Sequence, residues 1–385
     1  MQIDASFNLR HLHMVAEITR WRSLRRAAAE VHLSQPAMTQ ALAQLELQLG
    51  QRLFERTGGG MVPTAATLAL SERIDRAFAW LRATKLHRKA TRIQLQCLVA
   101  AIDAESVSMA ARRLGMRQPS VTRALRDLET LCGKPLFARS PQGIDATREA
   151  RELARLAGLA LADIRQGVEA FREHHGKIDG QIVVGCLPLA RSAILPTAVT
   201  RLLKRYPELS LRIVDGPYPE LLHELRSGRL DLLIGALRSS SPADIRQEEL
   251  FRDRLSIVVR PGHPLLDRRL TPPDFAGLGW VLPPDGTPAR ELFHGFFREM
   301  GLEEPAHVVV CSSLVAIRGL LLQSDRAALL STAQVGYELG AGQLKLLAGP
   351  LDETARPIGL ALRADWRPTL AQEHLMALIR QCAVA

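Results

Sequence analysis

The sequence predicts a multidomain chain: two tandem helix-rich repeats, then an α/β body of two lobes. Three observations predict it. The stretch "RQPSVTRALRDLE" at 117–129 repeats "SQPAMTQALAQLE" at 34–46; Leu33–Thr57 aligns on Met116–Ser140 without a gap, and 11 of the 25 positions are identical. Similarity this dense at a fixed offset marks an internal duplication. Charge is unevenly spread: residues 1–92 carry 14 Lys and Arg against 7 Asp and Glu, 93–173 carry 12 against 10, and 174–385 carry 24 against 23. Past residue 180, short β-rich runs alternate with amphipathic helices, the pattern of an α/β fold.

The totals fit this plan. A chain of 385 residues with 47% hydrophobic and 23% charged residues can bury real cores and suggests roughly two or three domains. A basic end on a nearly neutral body points to a polyanion partner at that end; a solvated basic surface reads the same on charge alone. No run of about 18 apolar residues marks a membrane span. The N-terminus "MQIDASFNLRHLH" lacks an apolar h-region, so no secretory signal is expected. Five scattered cysteines, Cys97, Cys132, Cys186, Cys311 and Cys382, suit the reducing cytoplasm rather than a disulfide framework. No metal site and no cofactor is expected.

The first copy spans about residues 7–90 and the second about 90–173. Each opens on an apolar-periodic helix, with Leu12, Val15 and Ile18 in one and Leu95, Leu98 and Ile102 in the other. A short alanine-rich helix follows, capped by Ser23 or Ser106. Ala27, Ala28, Ala110 and Ala111 let the next helix cross closely, the layout of a helix-turn-helix. In that third helix Ser34 is the expected N-cap, and Pro36 sits in the first turn, where its missing N–H costs nothing. Gln35, Thr39 and Gln40 are left at the exposed end, where short polar groups suit base edges and phosphates. Copy two presents Gln118, Pro119, Thr122 and Arg123. Arg123 is suited to a bidentate contact with guanine, worth about 1–3 kcal/mol of base discrimination. One such helix alone reads better as an ordinary packing helix; two in register, with the same tails, favour nucleic acid.

The tails are "GQRLFERTGGGMVPT" and "GKPLFARSPQGIDAT". Leu53–Phe54 and Leu136–Phe137 read as short strands and the following loops as wings, with Arg56 and Arg139 at the wing base near phosphate. Each tail leads to a longer helix, about 65–89 and 147–173, with an apolar seam that suits either a dimer contact or packing on the chain's own body.

The first copy resembles the LysR-type transcriptional regulators. Their pattern appears as Ala27, Ala28, Val31, Ser34, Gln35, Pro36, Ala37, Thr39, Leu42, Leu45, Glu46, Leu49, Gly50, Leu53, Phe54, Arg56 and Thr64. Ordinary members carry one copy; the second is the departure. It replaces the capping serine by Arg117, losing about 1 kcal/mol of capping at a helix end where positive charge is unwelcome. On charge, copy one is the stronger DNA binder, with three roles open to copy two: reading the operator, contacting backbone, or serving as a structural or dimerising unit. The resemblance implies that a linker helix dimerises, giving a homodimer or homotetramer on a two-fold operator.

"HHGKIDGQ" at 174–181 reads as a hinge. Beyond it the expected strands are "QIVVGC", "LRIVDG", "DLLIGA", "LSIVVR", "GWVLP", "HVVVC", "AALLS" and "PIGLALR", in a mostly parallel sheet, with helices at 193–206, 219–227, 289–300 and 313–323. "SIVVRPGHPL" and "LKLLAGPLDETARPIGL" read as crossings between two lobes, similar to periplasmic binding proteins and to the LysR-type effector domain. The expected boundaries are 1–64 and 91–146 for the winged helix-turn-helix copies, 65–90 and 147–175 for the linker helices, and 179–385 for the effector domain. Within the last, one lobe takes 179–260 and 349–385, the other 261–348.

Ligands of such folds sit at the carboxyl ends of strands. That selects Pro188, Ser192, Gly235, Ser312 and Ser313, although serines there also serve as plain helix caps. The stretch "LPLARSAILP" is similar to the family branch of a galactose-binding-protein regulator, implying a sugar or sugar-acid effector, with an aromatic acid also open. Three functions compete: a DNA-binding regulator controlled by a small molecule, a ligand-binding module whose duplicated helices assemble proteins, and an enzyme. The last is disfavoured because no P-loop, GxGxxG after a strand, HExxH or GxSxG occurs.

Overall fold

The computed structural model describes all residues except 1–6, 59, 85, 88, 141, 142, 193 and 385. The first N-terminal unit runs α1 (Leu9–Trp21), α2 (Leu24–Val31), α3 (Gln35–Leu49), β1 (Phe54–Thr57), β2 (Gly60–Pro63) and α4 (Ala65–Ala83). The second runs α5 (Arg92–Ala104), α6 (Val107–Leu114), α7 (Gln118–Cys132), β3 (Phe137–Ser140), β4 (Gly143–Ala146) and α8 (Arg148–Glu173).

Local chemistry sets these boundaries. Ser23 and Ser106 accept from the N–H groups of Arg26 and Met109, and Ser34 from that of Ala37. Left-handed residues end the helices at matching places, Arg22 and Glu105, His32 and Gly115, Gly50 and Gly133. Glu46 Oε1 accepts from Leu53 N at 2.8 Å, and Glu129 Oε1 from Leu136 N at 2.8 Å. This carboxylate pins the chain at the entry to each hairpin. The N-terminal apolar residues, from Phe7 to Phe171, form one core that includes both long helices. Helix α4 ends at Ala83, earlier than the pattern suggests. There the Thr84 hydroxyl donates to Leu81 O and the chain turns, with Leu86 N also on Leu81 O.

The body holds β5 (Gln181–Cys186), α9 (Pro188–Ser192), α10 (Ile194–Arg205), β6 (Ser210–Asp215), α11 (Tyr218–Arg226), β7 (Leu232–Ala236), β8 (Ile245–Asp253) and β9 (Leu255–Val259). It continues with α12 (Pro272–Gly277), β10 (Gly279–Leu282), α13 (Pro288–Glu299), β11 (Val308–Val310), α14 (Leu314–Leu322), β12 (Arg326–Ser331), α15 (Gly336–Gly340) and β13 (Lys345–Ala348). It closes with β14 (Arg356–Arg363) and α16 (Leu370–Val384). Two five-stranded sheets result, in the orders β6-β5-β7-β14-β8 and β11-β10-β12-β9-β13. Each has apolar clusters on both faces, so each sheet with its helices is one lobe.

Two expectations need correction. The sheets are mixed rather than mostly parallel, because β14 runs antiparallel to β7 and β8, and β9 antiparallel to β12 and β13. The first crossing between lobes falls at Arg254, between β8 and β9, not after residue 260. "SIVV" is itself a strand of the second sheet, and the returning chain leaves that sheet after β13 and rejoins the first at β14. Strands β8 and β13 escaped the sequence reading. The first is polar and half-exposed, and the second is short and at an edge. The helix expected from Ala193 begins at Ile194; Ala193 lies outside the described residues.

Candidate nucleic-acid interface and effector cleft

Helix α3 buries Met38, Ala41, Leu42, Leu45 and Leu49. That leaves Ser34, Gln35, Pro36, Thr39 and Gln40 exposed in its first turns. The Thr39 hydroxyl donates to Gln35 O at 3.1 Å, which keeps its lone pairs available. Helix α7 buries Val121, Ala124, Leu125 and Leu128, leaving Gln118, Pro119 and Arg123 exposed and Thr122 half-buried. Gln118, Pro119, Thr122 and Arg123 line one shallow depression together with Arg126 and Asp127. Arg117 stands at the N-cap of α7 with no side-chain cap bond. Arg56 is exposed in β1, opposite Met61. Arg139 takes the matching place in β3, opposite Ile144; its side chain lies outside the described residues. Each hairpin thus flanks a polar helix end, as a wing flanks a helix in a groove.

The cleft follows from strand polarity. Strands β5, β6 and β7 are mutually parallel, ending at Cys186, Asp215 and Ala236. The crossovers lie at that same end, because β14 begins there at Arg356, opposite Asp253. In the other lobe β12 ends at Ser331, opposite Leu255, the first residue of β9, and β10 and β11 run parallel to β12. The carboxyl ends of the parallel strands in both lobes therefore face the hinge. Asp253 and Arg356 form a buried ion pair there at 2.9 Å, and the Ser331 hydroxyl donates to Asp253 at 2.6 Å.

Pro188, Ser192, Ser312 and Ser313 all follow strands at this end and are exposed. Ser313 also caps α14, accepting from Ala316 N. Gly235 is different. It is buried, and an added Cβ would lie 2.4 Å from Leu187 Cβ. Glycine is there so that Leu187 packs on β7, and Gly235 does not line the cleft.

Sequence reasoning missed Tyr218, which opens α11 after β6, and Arg238, two residues past β7. The Arg238 guanidinium lies 4.4 Å from the Tyr218 ring centroid. Burial lowers its pKa while Tyr218 favours its charge, and it has no carboxylate partner among the described residues. The Tyr218 hydroxyl is buried without a hydrogen-bond partner, and burial raises its pKa. A partly desolvated guanidinium with free donors suits a carboxylate. The only sequence signal was placement, each residue falling just after a strand.

Exposed helix ends with wings, ahead of two lobes hinged about a polar cleft, define a DNA-binding regulator that responds to a small molecule. Comparison with known proteins agrees. The family profile described as "Bacterial regulatory helix-turn-helix protein, lysR family" matches residues 9–67 and again 93–151, and "LysR substrate binding domain" matches 175–383. The HTH-type transcriptional regulator GalR of Pseudomonas putida is 35% identical, over 97% of each chain. PcaQ of Agrobacterium fabrum, another HTH-type transcriptional regulator, is 31% identical over 75% of this chain and 94% of its own. A full-length OxyR variant of Pseudomonas aeruginosa superposes with a TM-score of 0.59 at 23% identity, over 77% of this chain and 96% of that one, and so shares the fold. The chain belongs to the LysR family of DNA-binding transcriptional regulators with an effector-binding domain. PcaQ is nearly fully covered yet leaves about a quarter of this chain unmatched, whereas GalR matches 97% of it.

Proposed function

We propose that both N-terminal units are winged helix-turn-helix heads that read double-stranded DNA, and that an acidic small molecule between the lobes controls them. The observation that carries the reading is the pair of exposed polar helix ends, Gln35, Thr39 and Gln40 on one and Gln118 and Arg123 on the other, each backed by a buried apolar face. Arg56 and Arg139 hold phosphates at the wing bases. The heads are 1–64 and 91–146, the linkers 65–90 and 147–175, and the effector domain 179–385 with its lobes divided at Arg254. Pro188, Ser192, Ser312 and Ser313 line the effector cleft. Arg238 favours a sugar acid or aromatic acid over a neutral sugar. The protein acts in the cytoplasm as a homo-oligomer.

Nuclease footprinting on DNA upstream of the protein's own gene, at two salt concentrations, tests this reading. Protection that weakens steeply with salt is expected, since released counterions set the slope. Arg56→Ala is expected to reduce that slope by about one charge. No protection with the wild type at low salt would leave the helices as assembly contacts and sink the DNA reading.

A further inference from the structure

The two long helices meet each other inside one chain. Arg73 of α4 donates to Gln166 of α8 at 2.7 Å, and Trp80 of α4 to Asp163 of α8 at 3.0 Å. Positions rise along α4 as they fall along α8, so the helices are antiparallel. The duplication offset is 83 residues, as from Leu33 to Met116. Adding 83 to 80 gives 163, so Trp80 touches its own counterpart. In a two-fold arrangement only residues on the axis do that.

The flanking pairs have mates under the same two-fold rule. The mate of Arg73 with Gln166 is Leu156 with Ala83. An added Cβ on Gly167 would lie 3.2 Å from Leu70, and the mate of that pair is Thr84 with Leu153. Ala83, Thr84, Leu153 and Leu156 all line one pocket at the other end of the helix pair. The heads follow the helices, since α1 packs on α4 as α5 packs on α8. From Leu153 to Glu173, α8 has no exposed residue, so it has no face left for a linker helix from another copy.

We propose that one chain is a complete two-headed reader. The internal pseudo-two-fold presents α3 and α7 to a duplex as a dimer presents two identical helices. Because Gln40 stands where the second head has Arg123, the two half-sites are inverted in orientation and unlike in sequence. The partner is therefore a non-palindromic duplex element held by a single chain. This rests on the DNA-binding reading above.

The test takes the full-length protein and duplexes selected by binding from a random-sequence library. Two unlike, inverted half-motifs are expected to be enriched. Saturating titration of the selected duplex should break at one duplex per chain, whatever oligomer the effector domains form. Gln35→Ala/Thr39→Ala and Gln118→Ala/Arg123→Ala should each lose protection over one half-motif, with affinity falling about tenfold or more. Mixing the two variants should not restore full protection, since every chain still carries one dead head. A palindromic motif, a single half-motif, a break at one duplex per two chains, or restoration on mixing each overturns the cis arrangement while leaving DNA binding intact. Failure to enrich any duplex overturns both.

Discussion

His13 marks the first N-terminal unit apart from the second. Its ring stacks on Phe78 of α4 with centroids 4.3 Å apart, and position 13 plus 83 is Gln96. Burial, then the positive charges of Arg82 and His87, hold the His13 pKa down to about 4 from an ordinary 6.5. Between those values the unfolded chain binds a proton that the folded chain refuses. The stabilisation is therefore complete above pH 6.5 and lost as pH falls toward 4. Denaturant midpoints across this window should drop less steeply in His13→Gln, which copies the second unit, than in wild type. Equal slopes would show that the ring is not what titrates. Arg117 offers the converse change. Arg117→Ser restores the cap that Ser34 supplies in α3 and removes a cation from a helix N-terminus. It should raise stability by about 1 kcal/mol, read from urea unfolding at constant slope.

The hairpin of each N-terminal unit is held by one carboxylate, so its energetics belong to the element. Glu46 and Glu129 reach seven residues forward to the N–H of Leu53 and Leu136, and both leucines are fully buried. Truncation leaves a backbone donor without its acceptor, a loss of about 1–3 kcal/mol. Glu46→Ala is expected to speed amide exchange across 53–63 while leaving α1 protected. Glu46→Gln, which keeps an acceptor, should do so less. Unchanged exchange in both would mean that the hairpin stands without this bond. The sequence made such features legible because they are local. Ser23, Ser34 and Ser106 could be assigned as caps, and the third helix placed, from a dozen neighbouring residues. What it hid was assembled from a distance. Gln166 meets Trp366 across 200 residues, β8 pairs with a strand begun a hundred residues later, and Arg238 meets Tyr218 only after β6 and β7 take their places beside β5. The seams of α4 and α8 were visible, but periodicity cannot say which partner a seam meets, and here it is the other seam.

Across the whole molecule, one polar hub joins the N-terminal units to the body. Gln166 of α8 is fully buried; it accepts from Arg73 of α4 and Trp366 of the body, and donates to Asp231 Oδ1 at 2.8 Å. Arg165 also donates to Asp231, and Asp231 Oδ2 accepts from Val183 N on β5. Asp231 immediately precedes β7, and Arg238 follows that strand at the cleft. A single strand thus runs from the proposed ligand anchor to α8, which packs on α5 of the second N-terminal unit and on α4 of the first. A shift of β7 on ligand binding is expected to reach α8 through the two hydrogen bonds on Asp231. Coupling of this kind is reciprocal and typically worth about 5–150-fold in affinity. Gln166→Leu removes one bond to Asp231 and strips Arg73 and Trp366 of their shared acceptor, at a stability cost on the order of 3 kcal/mol. It touches neither the residues proposed to face DNA nor Arg238. Affinity for the proposed acidic effector should then be measured with and without the selected duplex. In wild type the two values should differ, and in Gln166→Leu they should converge while each partner still binds alone. Arg238→Ala should instead abolish ligand binding and leave duplex affinity at its ligand-free value. If Gln166→Leu keeps the full difference, the signal does not pass through this hub, and the lobes must act on the N-terminal units through the contacts of α4 with residues 365–368.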